Sequence, residues 1–194
     1  MADPASAWVC KWSHLVEAGG AVLDVASGSG RHARWFASRG HAVLAIDRDG
    51  EALGSMAGVE RITTLAADLE SAPWPLPADQ TFAAIVVTRY LHRPLFPHLA
   101  DALAPGGVLI YETFALGNET VGKPSNPAFL LTPGELIDAF HARLRIIAYQ
   151  DGFTALPRAS CVQRICAVRE PDRSSIDLTI RNNALNPPRY ELVD

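Results

Sequence analysis

The sequence contains little that would indicate a secreted, membrane-spanning or nucleic-acid-binding protein. It has only three cysteines, and its 17 basic residues are outnumbered by 21 acidic ones, which gives a net charge of −4. So few cysteines predict reduced thiols rather than a disulfide framework. The acidic balance provides no electrostatic footprint for nucleic acid or an anionic membrane. No apolar run approaches the length that spans a bilayer, so we expect no membrane partner.

Targeting signals and metal-ligand spacings are also missing. The start MADPASAWVCKW lacks a basic segment followed by a long apolar core, so we predict no secretory signal and a cytoplasmic location. No cluster of histidines, cysteines or acids has ligand spacing, which predicts no metal site. Residues 171–194 are polar and poorly patterned, and we expect this C-terminal tail to be loosely held. Residues 1–170 are long enough for one domain.

What the sequence does contain is a regular alternation of strand-type and helix-type segments. Apolar runs predict strands at 21–25, 41–47, 61–66, 82–88 and 108–113. Helical patterns lie at 31–38, 49–57 and 95–103. A further helix should begin with Thr132 as N-cap, Pro133 at the first position and Glu135 completing a capping box.

Two final strands, at 144–150 and 162–168, have no helical pattern between them and should pair antiparallel. The whole order predicts an α/β fold, in which a mostly parallel sheet has helices on both faces and is closed by an antiparallel edge strand.

The stretch VLDVASGSGRHA, residues 22–33, sets a glycine-rich turn between the first strand and the first long helix. Its GSGRHA part fits the dinucleotide fingerprint G-x-G-x-x-G/A. Glycines in such a turn let the backbone approach a ligand, and the helix N-terminus offers free N–H groups. Asp47, which ends the second strand, can bind the ribose hydroxyls of a dinucleotide or of S-adenosylmethionine. The motif alone therefore leaves both cofactors open.

Three further features favour S-adenosylmethionine over NAD or NADP. Asp24 lies in the first strand, where a carboxylate is unfavourable near a pyrophosphate but favourable near an ammonium and a sulfonium. Asp68 ends the third strand, and we expect it to accept the exocyclic amine of an adenine, with capping of a helix as the alternative. The chain also has no room for the separate catalytic domain of a dinucleotide enzyme. Arg31 is either a partner for the methionine carboxylate or an exposed helical arginine.

Five segments in the expected order resemble the successive motifs of class I S-adenosylmethionine-dependent methyltransferases. They are VLDVASGSGRHA, AIDRD, AADLE, FAAIVVTRYLHR and LAPGGVLIYETF, and the resemblance covers about residues 20–170. It implies a Rossmann-like seven-stranded sheet in the order 3-2-1-4-5-7-6, with strand 7 antiparallel. The stretch GSGRHARWFASRGHAVLAID is also similar to small bacterial methyltransferases of the tellurite-resistance type.

The resemblance implies roles around the methyl-donating end of the cofactor. Gly28 and Gly30 match the loop beneath the methionine part, and Asp24 matches the acid that orients this part. Thr88 and Arg89 match positions on the fourth strand that line the methyl-donor site.

The nucleoside end has its own implied residues. Asp47 matches the ribose-binding acid, and Asp68 with Leu69 matches the adenine-binding pair. The residues expected to bind S-adenosylmethionine are Asp24, Ala26, Gly28, Gly30, Arg31, Asp47, Arg48, Asp68, Leu69, Thr88 and Arg89.

The sequence departs from the motifs of this family at one point, and the departure limits which acceptors we expect. Arg89 and Tyr90 stand where amino-methylating members of the class have an Asn/Asp-Pro-Pro-aromatic motif. The segment NPPRY occurs at 186–190, but it lies beyond the last strand. This argues against methylation of adenine N6 or of a glutamine amide.

The predicted function is S-adenosylmethionine-dependent methylation of a small-molecule acceptor. If the acceptor's nucleophile is oxygen or nitrogen, methyl transfer would need a general base to remove its proton. The candidates are Tyr90, His92, Glu112 and Glu119. Two alternatives stay open: an NAD(P)-binding oxidoreductase and a non-catalytic S-adenosylmethionine-binding protein.

Two segments are candidates for covering the site. The loop 117–127 follows the fifth strand, and we expect it to cover the acceptor. Residues 1–18 should form a helix over the site, in which Trp8 and Trp12 are either a packing stripe or a lid that excludes water.

Overall fold

The computed structural model describes residues 3–171 and 189–192, which contain one seven-stranded sheet in the order β3-β2-β1-β4-β5-β7-β6. Its strands are β1 (Val22–Val25), β2 (Val43–Asp47), β3 (Ile62–Ala66), β4 (Phe82–Thr88), β5 (Leu103–Phe114), β6 (Arg145–Thr154) and β7 (Ser160–Val168). β7 runs antiparallel to β5 and β6, and the other neighbours are parallel. The fold class predicted from the sequence is confirmed.

Helices lie on both faces of this sheet because successive side chains of a strand point to opposite faces. Val22 packs with the cluster that includes Trp8 and Phe36, whereas the adjacent Leu23 packs with the cluster that includes Phe140. The helices are α1 (Ala7–Trp12), α2 (Arg31–Ala37), α3 (Gly50–Gly54), α4 (Phe96–Asp101) and α5 (Glu135–Phe140). α1, α2 and α3 thus cover one face, and α4 and α5 cover the other.

The predicted boundary between α4 and β5 is wrong. α4 ends at Asp101 and β5 begins at Leu103, so the APGG segment belongs to the strand rather than to a turn before it. Leu103 pairs with Phe82, and the register then shifts before Ala84 pairs with Val108. Glycine permits this irregularity, because a Cβ on Gly107 would lie only 2.8 Å from the Phe82 carbonyl oxygen.

α5 also begins later than predicted, at Glu135 instead of residue 133. The Glu135 carboxylate does accept the Thr132 N–H at 2.8 Å, which is one half of the predicted capping box. The Thr132 hydroxyl, however, donates to the same carboxylate oxygen at 2.9 Å. It therefore caps no helical N–H group, and Gly134 in a left-handed conformation is the N-cap.

Both ends of the described chain pack on the α1 side of the sheet. Trp8 and Trp12 are buried there, and the Trp8 indole N–H donates to the Ile165 carbonyl at 3.3 Å. Near the C-terminus, Tyr190 packs against the same cluster. Most of the predicted loose tail, including the NPP of NPPRY, lies outside the described residues. Within residues 3–171 and 189–192, none of the helices has the length and apolar character needed to traverse a bilayer.

Candidate functional site

Two cavities open at the carboxyl ends of the parallel strands, the edge at which open α/β sheets bind ligands. The smaller has a volume of about 170 Å³ and is lined by Ala26, Asp47, Arg48, Ala67, Asp68, Leu69, Glu70 and Tyr90. The larger, of about 770 Å³, is lined by residues 3–8, Arg31, Arg89, residues 112–114 and 122–123, parts of the β6–β7 connection and Arg164. The consecutive residues Arg89 and Tyr90 line different cavities, so the two adjoin at the end of β4.

The backbone is strained at this junction. Ala26 follows β1 with φ of 53°, and Arg89 follows the neighbouring β4 with φ of 56°. Side chains other than glycine adopt this left-handed region at a cost of about 1–2 kcal/mol. Such strain concentrates at ligand sites, where the surrounding structure holds it in place.

The two glycines of the turn after β1 have different environments. A Cβ on Gly28, whose φ is 53°, would meet no atom within 4 Å, so its backbone faces open space as a ligand-approach position requires. A Cβ on Gly30 would lie 1.9 Å from Met56 Sδ. Glycine at position 30 is therefore also a packing requirement, which the motif did not reveal.

Asp47 joins the glycine turn to the end of β2. One carboxylate oxygen accepts the Gly28 N–H at 2.7 Å, and the other accepts the Asp49 N–H at 2.9 Å. A carboxylate has about four lone-pair sites, so each oxygen retains one for a hydroxyl group in the smaller cavity. This geometry suits the ribose-binding role that the resemblance implies.

Asp68 follows β3 and lines the smaller cavity together with Asp47. Its carboxylate accepts the N–H groups of Glu70 at 2.9 Å and Ser71 at 3.2 Å, and these bonds hold its pKa below the usual value. One oxygen makes both bonds, which leaves the other for an amine donor. The buried Leu69 lines the same cavity.

Asp24 lines neither cavity. It is buried beneath α2, where its carboxylate accepts the Ala33 N–H at 2.9 Å. Gly30, the N-cap of α2, has no side chain to cap the helix, and Asp24 does so from β1. Burial raises the pKa of Asp24 to about 7, although this hydrogen bond and the charge of Arg31 act in the opposite direction.

A network of polar side chains connects α2 to the N-terminal segment. The Ser6 N–H donates to His32 Nε2 at 3.2 Å, so the ring proton is on Nδ1, which faces the Thr88 hydroxyl at 3.5 Å. The Arg31 guanidinium donates to the same hydroxyl at 3.3 Å. Burial, together with Arg31 and Arg89, lowers the pKa of His32 to about 3, so the ring is neutral near pH 7.

Glu112 connects the same segment to β7. Its carboxylate accepts the Ser6 hydroxyl at 2.9 Å and forms an ion pair with Arg164. On the adjacent wall, Asp3 pairs more loosely with Arg89, with 3.7 Å between the charged groups. Ser6, His32 and Arg164 were not identified from the sequence. Ser6 carries a detectable signal, because it is the N-cap of α1 and accepts the Trp8 N–H.

The four candidate bases do not lie together. Tyr90 lines the smaller cavity, where burial and nearby Glu70 raise its pKa to about 12, so it is protonated near pH 7. Glu112 lines the larger cavity. His92 and Glu119 line neither, and the Glu119 carboxylate instead accepts the Gly117 N–H at 2.8 Å.

The loop 117–127 forms part of one wall of the larger cavity. Gly122 and Lys123 line the cavity. Asn118 is buried: its amide donates to the Pro124 carbonyl at 3.0 Å and accepts the Cys161 N–H at 3.2 Å. Asn118 thus fixes the loop to β7, and the predicted covering of an acceptor stays a prediction.

Comparison with known proteins finds a family match over part of the chain. A family model described as "Methyltransferase domain" matches residues 22–107. A comparison with functionally curated proteins finds no matching sequence.

Solved methyltransferase structures have the same fold. TehB from Haemophilus influenzae is 16% identical over 82% of this chain, which spans 60% of that protein, with a TM-score of 0.66. A TehB-like S-adenosylmethionine-dependent methyltransferase from Corynebacterium glutamicum is 16% identical, with 84% and 87% of the two chains covered and a TM-score of 0.62. The glycopeptide N-methyltransferase MtfA, solved with S-adenosylhomocysteine, has 16% identity, coverages of 81% and 86% and a TM-score of 0.58.

The strand order is the one that the resemblance implies, and the matched residues 22–107 include the glycine turn, Asp47 and Asp68. The resemblance drawn from the motifs is confirmed. The family match over residues 22–107 agrees with the predicted methyl transfer and with S-adenosylmethionine as the predicted cofactor.

Proposed function

We propose that this chain transfers a methyl group from S-adenosylmethionine to a small-molecule acceptor held in the larger cavity. One observation carries the proposal: five of the residues expected to bind the cofactor line the smaller cavity, although they follow three different strands. At about 170 Å³ this cavity is below the roughly 300–1,000 Å³ of whole ligand pockets. It therefore suits the nucleoside end alone, and the methionine end extends past Gly28 towards Arg31 and the larger cavity.

The residues present fit this cofactor. Asp47 offers free lone pairs to the ribose hydroxyls, and Asp68 offers one oxygen to the adenine amine. Arg31, half-buried and anchored on Thr88, is the partner for the methionine carboxylate. Asp24 supports the site by capping α2 rather than by touching the ligand. When bound, S-adenosylmethionine supplies a methyl group on a sulfonium, which becomes a neutral thioether as the methyl leaves.

The chain contributes positioning more than proton transfer. Of the four candidate bases, Glu112 alone lines the larger cavity, and Ser6 and Arg164 engage its carboxylate. An acceptor whose nucleophile is soft or already ionised needs no base, because correct alignment supplies most of the rate. The N-terminal segment, anchored through Ser6 and Asp3, walls the larger cavity and limits the access of water. Glu112 and Ser6 are thus positioning residues in this proposal.

Replacing Asp47 with alanine should weaken the binding of S-adenosylhomocysteine by about 1–3 kcal/mol, the range for lost charge-assisted hydrogen bonds. The fold should survive, since Asp47 ends its strand at the cavity. Calorimetric titration measures the change. The exposed Asp79, which lines neither cavity, provides the matched Asp79→Ala control with unchanged affinity. If the wild type and both variants bound S-adenosylhomocysteine with equal affinity, Asp47 would not be part of the binding site.

Turnover tests the proposed reaction. The purified chain should convert S-adenosylmethionine to S-adenosylhomocysteine with at least one member of a panel of thiols, phenols, amines, carboxylates and metalloid oxyanions. Tight binding of S-adenosylhomocysteine without any turnover would support the non-catalytic alternative. Binding of NAD or NADP alone would support the oxidoreductase. The cytoplasmic location, the absence of a nucleic-acid partner and the domain boundary at residue 170 stay predictions from the sequence.

A further inference from the structure

The larger cavity has the opposite charge to the chain as a whole. Its lining includes two acidic side chains, Asp3 and Glu112, and five basic ones, Arg31, Arg89, Lys123, Arg158 and Arg164. The complete chain has a net charge of −4. Basic residues are therefore concentrated in the larger cavity, although acidic residues outnumber basic ones in the chain as a whole.

The acids inside the cavity neutralise only part of this charge. Glu112 is ion-paired with Arg164, and Asp3 lies 3.7 Å from Arg89. In the described part of the chain, the remaining three cations line the cavity without a carboxylate within ion-pair distance; they are Arg31, Lys123 and Arg158. Burial and the neighbouring charge of Arg89 lower the pKa of Arg31, as expected where positive charge accumulates.

Two of these three cations lie away from the glycine turn. Lys123 is in the loop after β5, and Arg158 is in the β6–β7 connection. Arg31, in contrast, begins α2 immediately after the turn and is already assigned to the cofactor. The methionine carboxylate can pair with Arg31. Lys123 and Arg158 then remain available to bind a second anion.

The same cavity also has apolar walls. Trp8, Phe114, Leu156 and Pro157 all line it. Leu156 is 78% exposed, so its apolar side chain is accessible to a ligand in the cavity. A cavity with basic side chains and apolar walls suits a ligand that has both an anionic group and an apolar body.

We propose that the methyl acceptor is a small organic anion, a carboxylate with an apolar body, whose charged group Lys123 and Arg158 bind. This inference rests on the proposed function, since it names the class of acceptor for the same site. An opposite charge on the acceptor also raises its local concentration at the cavity mouth.

Matched pairs of probes test the charge requirement directly. The protein is saturated with S-adenosylhomocysteine and titrated with 3-phenylpropionate, hexanoate and benzoate, and with the primary amide of each acid. At least one acid should bind about fivefold or more tightly than its amide, the order expected for two solvent-exposed charge contacts. Acetate, which lacks the apolar body, should bind more weakly than that acid.

Substitutions of Lys123 and Arg158 test whether these two residues cause the preference for the acid over its amide. Lys123→Gln combined with Arg158→Gln should abolish the difference between acid and amide while leaving the affinity for S-adenosylhomocysteine unchanged. Arg61→Gln removes an exposed charge outside both cavities and should preserve the difference. Acids that never bind better than their amides, or a preference that survives the double variant, would overturn the inference. Failure to bind S-adenosylhomocysteine would instead be a failure of the proposed function.

Discussion

Replacing Gly30 with alanine is expected to lower the free energy of unfolding by about 2–5 kcal/mol. Gly30 has φ of 76°, a conformation in which a Cβ costs about 1–2 kcal/mol. The new methyl group would also lie 1.9 Å from Met56 Sδ and 2.9 Å from its Cγ. Met56 is only 1% exposed, so it cannot move into solvent, and overpacking of a core adds about 1–3 kcal/mol.

Gly28→Ala provides the matched control. Gly28 is also left-handed, with φ of 53°, but a Cβ there meets no atom within 4 Å. Only the backbone strain should remain, about 1–2 kcal/mol. Urea denaturation of both variants measures the difference, which isolates the contact with Met56. Equal destabilisation of the two would contradict the packing role assigned to Gly30.

The Asp24→Asn variant should differ from the wild type in how its stability depends on pH. Between the ordinary aspartate pKa of about 3.9 and the folded-state pKa of about 7, folded Asp24 holds a proton that the unfolded chain has released. Unfolding then releases this proton, so the wild type loses stability as pH rises through this range and loses no more above it. A shift of about three units corresponds to on the order of 4 kcal/mol.

Asparagine keeps the oxygen that accepts the Ala33 N–H but cannot ionise. The variant should therefore match the wild type near pH 4 and be more stable than it at pH 8. Subtracting the two denaturation series removes the titration of all other groups. The exposed Asp79 serves as control, because Asp79→Asn should retain the wild-type pH dependence. A pH-independent difference between Asp24→Asn and the wild type would show that Asp24 is ionised in the folded state.

Local sequence patterns predicted the strands of the sheet, whereas the strand order came from the family resemblance and several element boundaries were not predicted. Alternating apolar runs and helical patterns predicted the α/β class, and the helix-free final strands predicted the antiparallel β7. The start of β5 was missed because residues 104–107 look like a turn, whereas pairing with β4 draws them into the strand. Long-range hydrogen bonding of this kind overrides local propensity.

Sequence patterns likewise predicted some residues of the candidate site and not others. Asp47, Asp68 and Leu69 follow strands at positions that a motif marks, and they meet in one cavity. Arg158 and Arg164 carry no local signal, because their position in the larger cavity depends on how the β6–β7 hairpin folds across the end of β5. Asp24 was interpreted as a residue that orients the ligand, and the burial that makes it a helix cap became visible only with α2 in place.

Calorimetric titration with S-adenosylhomocysteine, compared with NAD and NADP, tests the central claim most directly. S-adenosylhomocysteine should bind at one site per chain and raise the melting temperature, because a ligand that binds the native state alone stabilises it. Asp47→Ala should weaken this binding, and neither dinucleotide should bind. Micromolar binding of NAD with no response to S-adenosylhomocysteine would contradict the account.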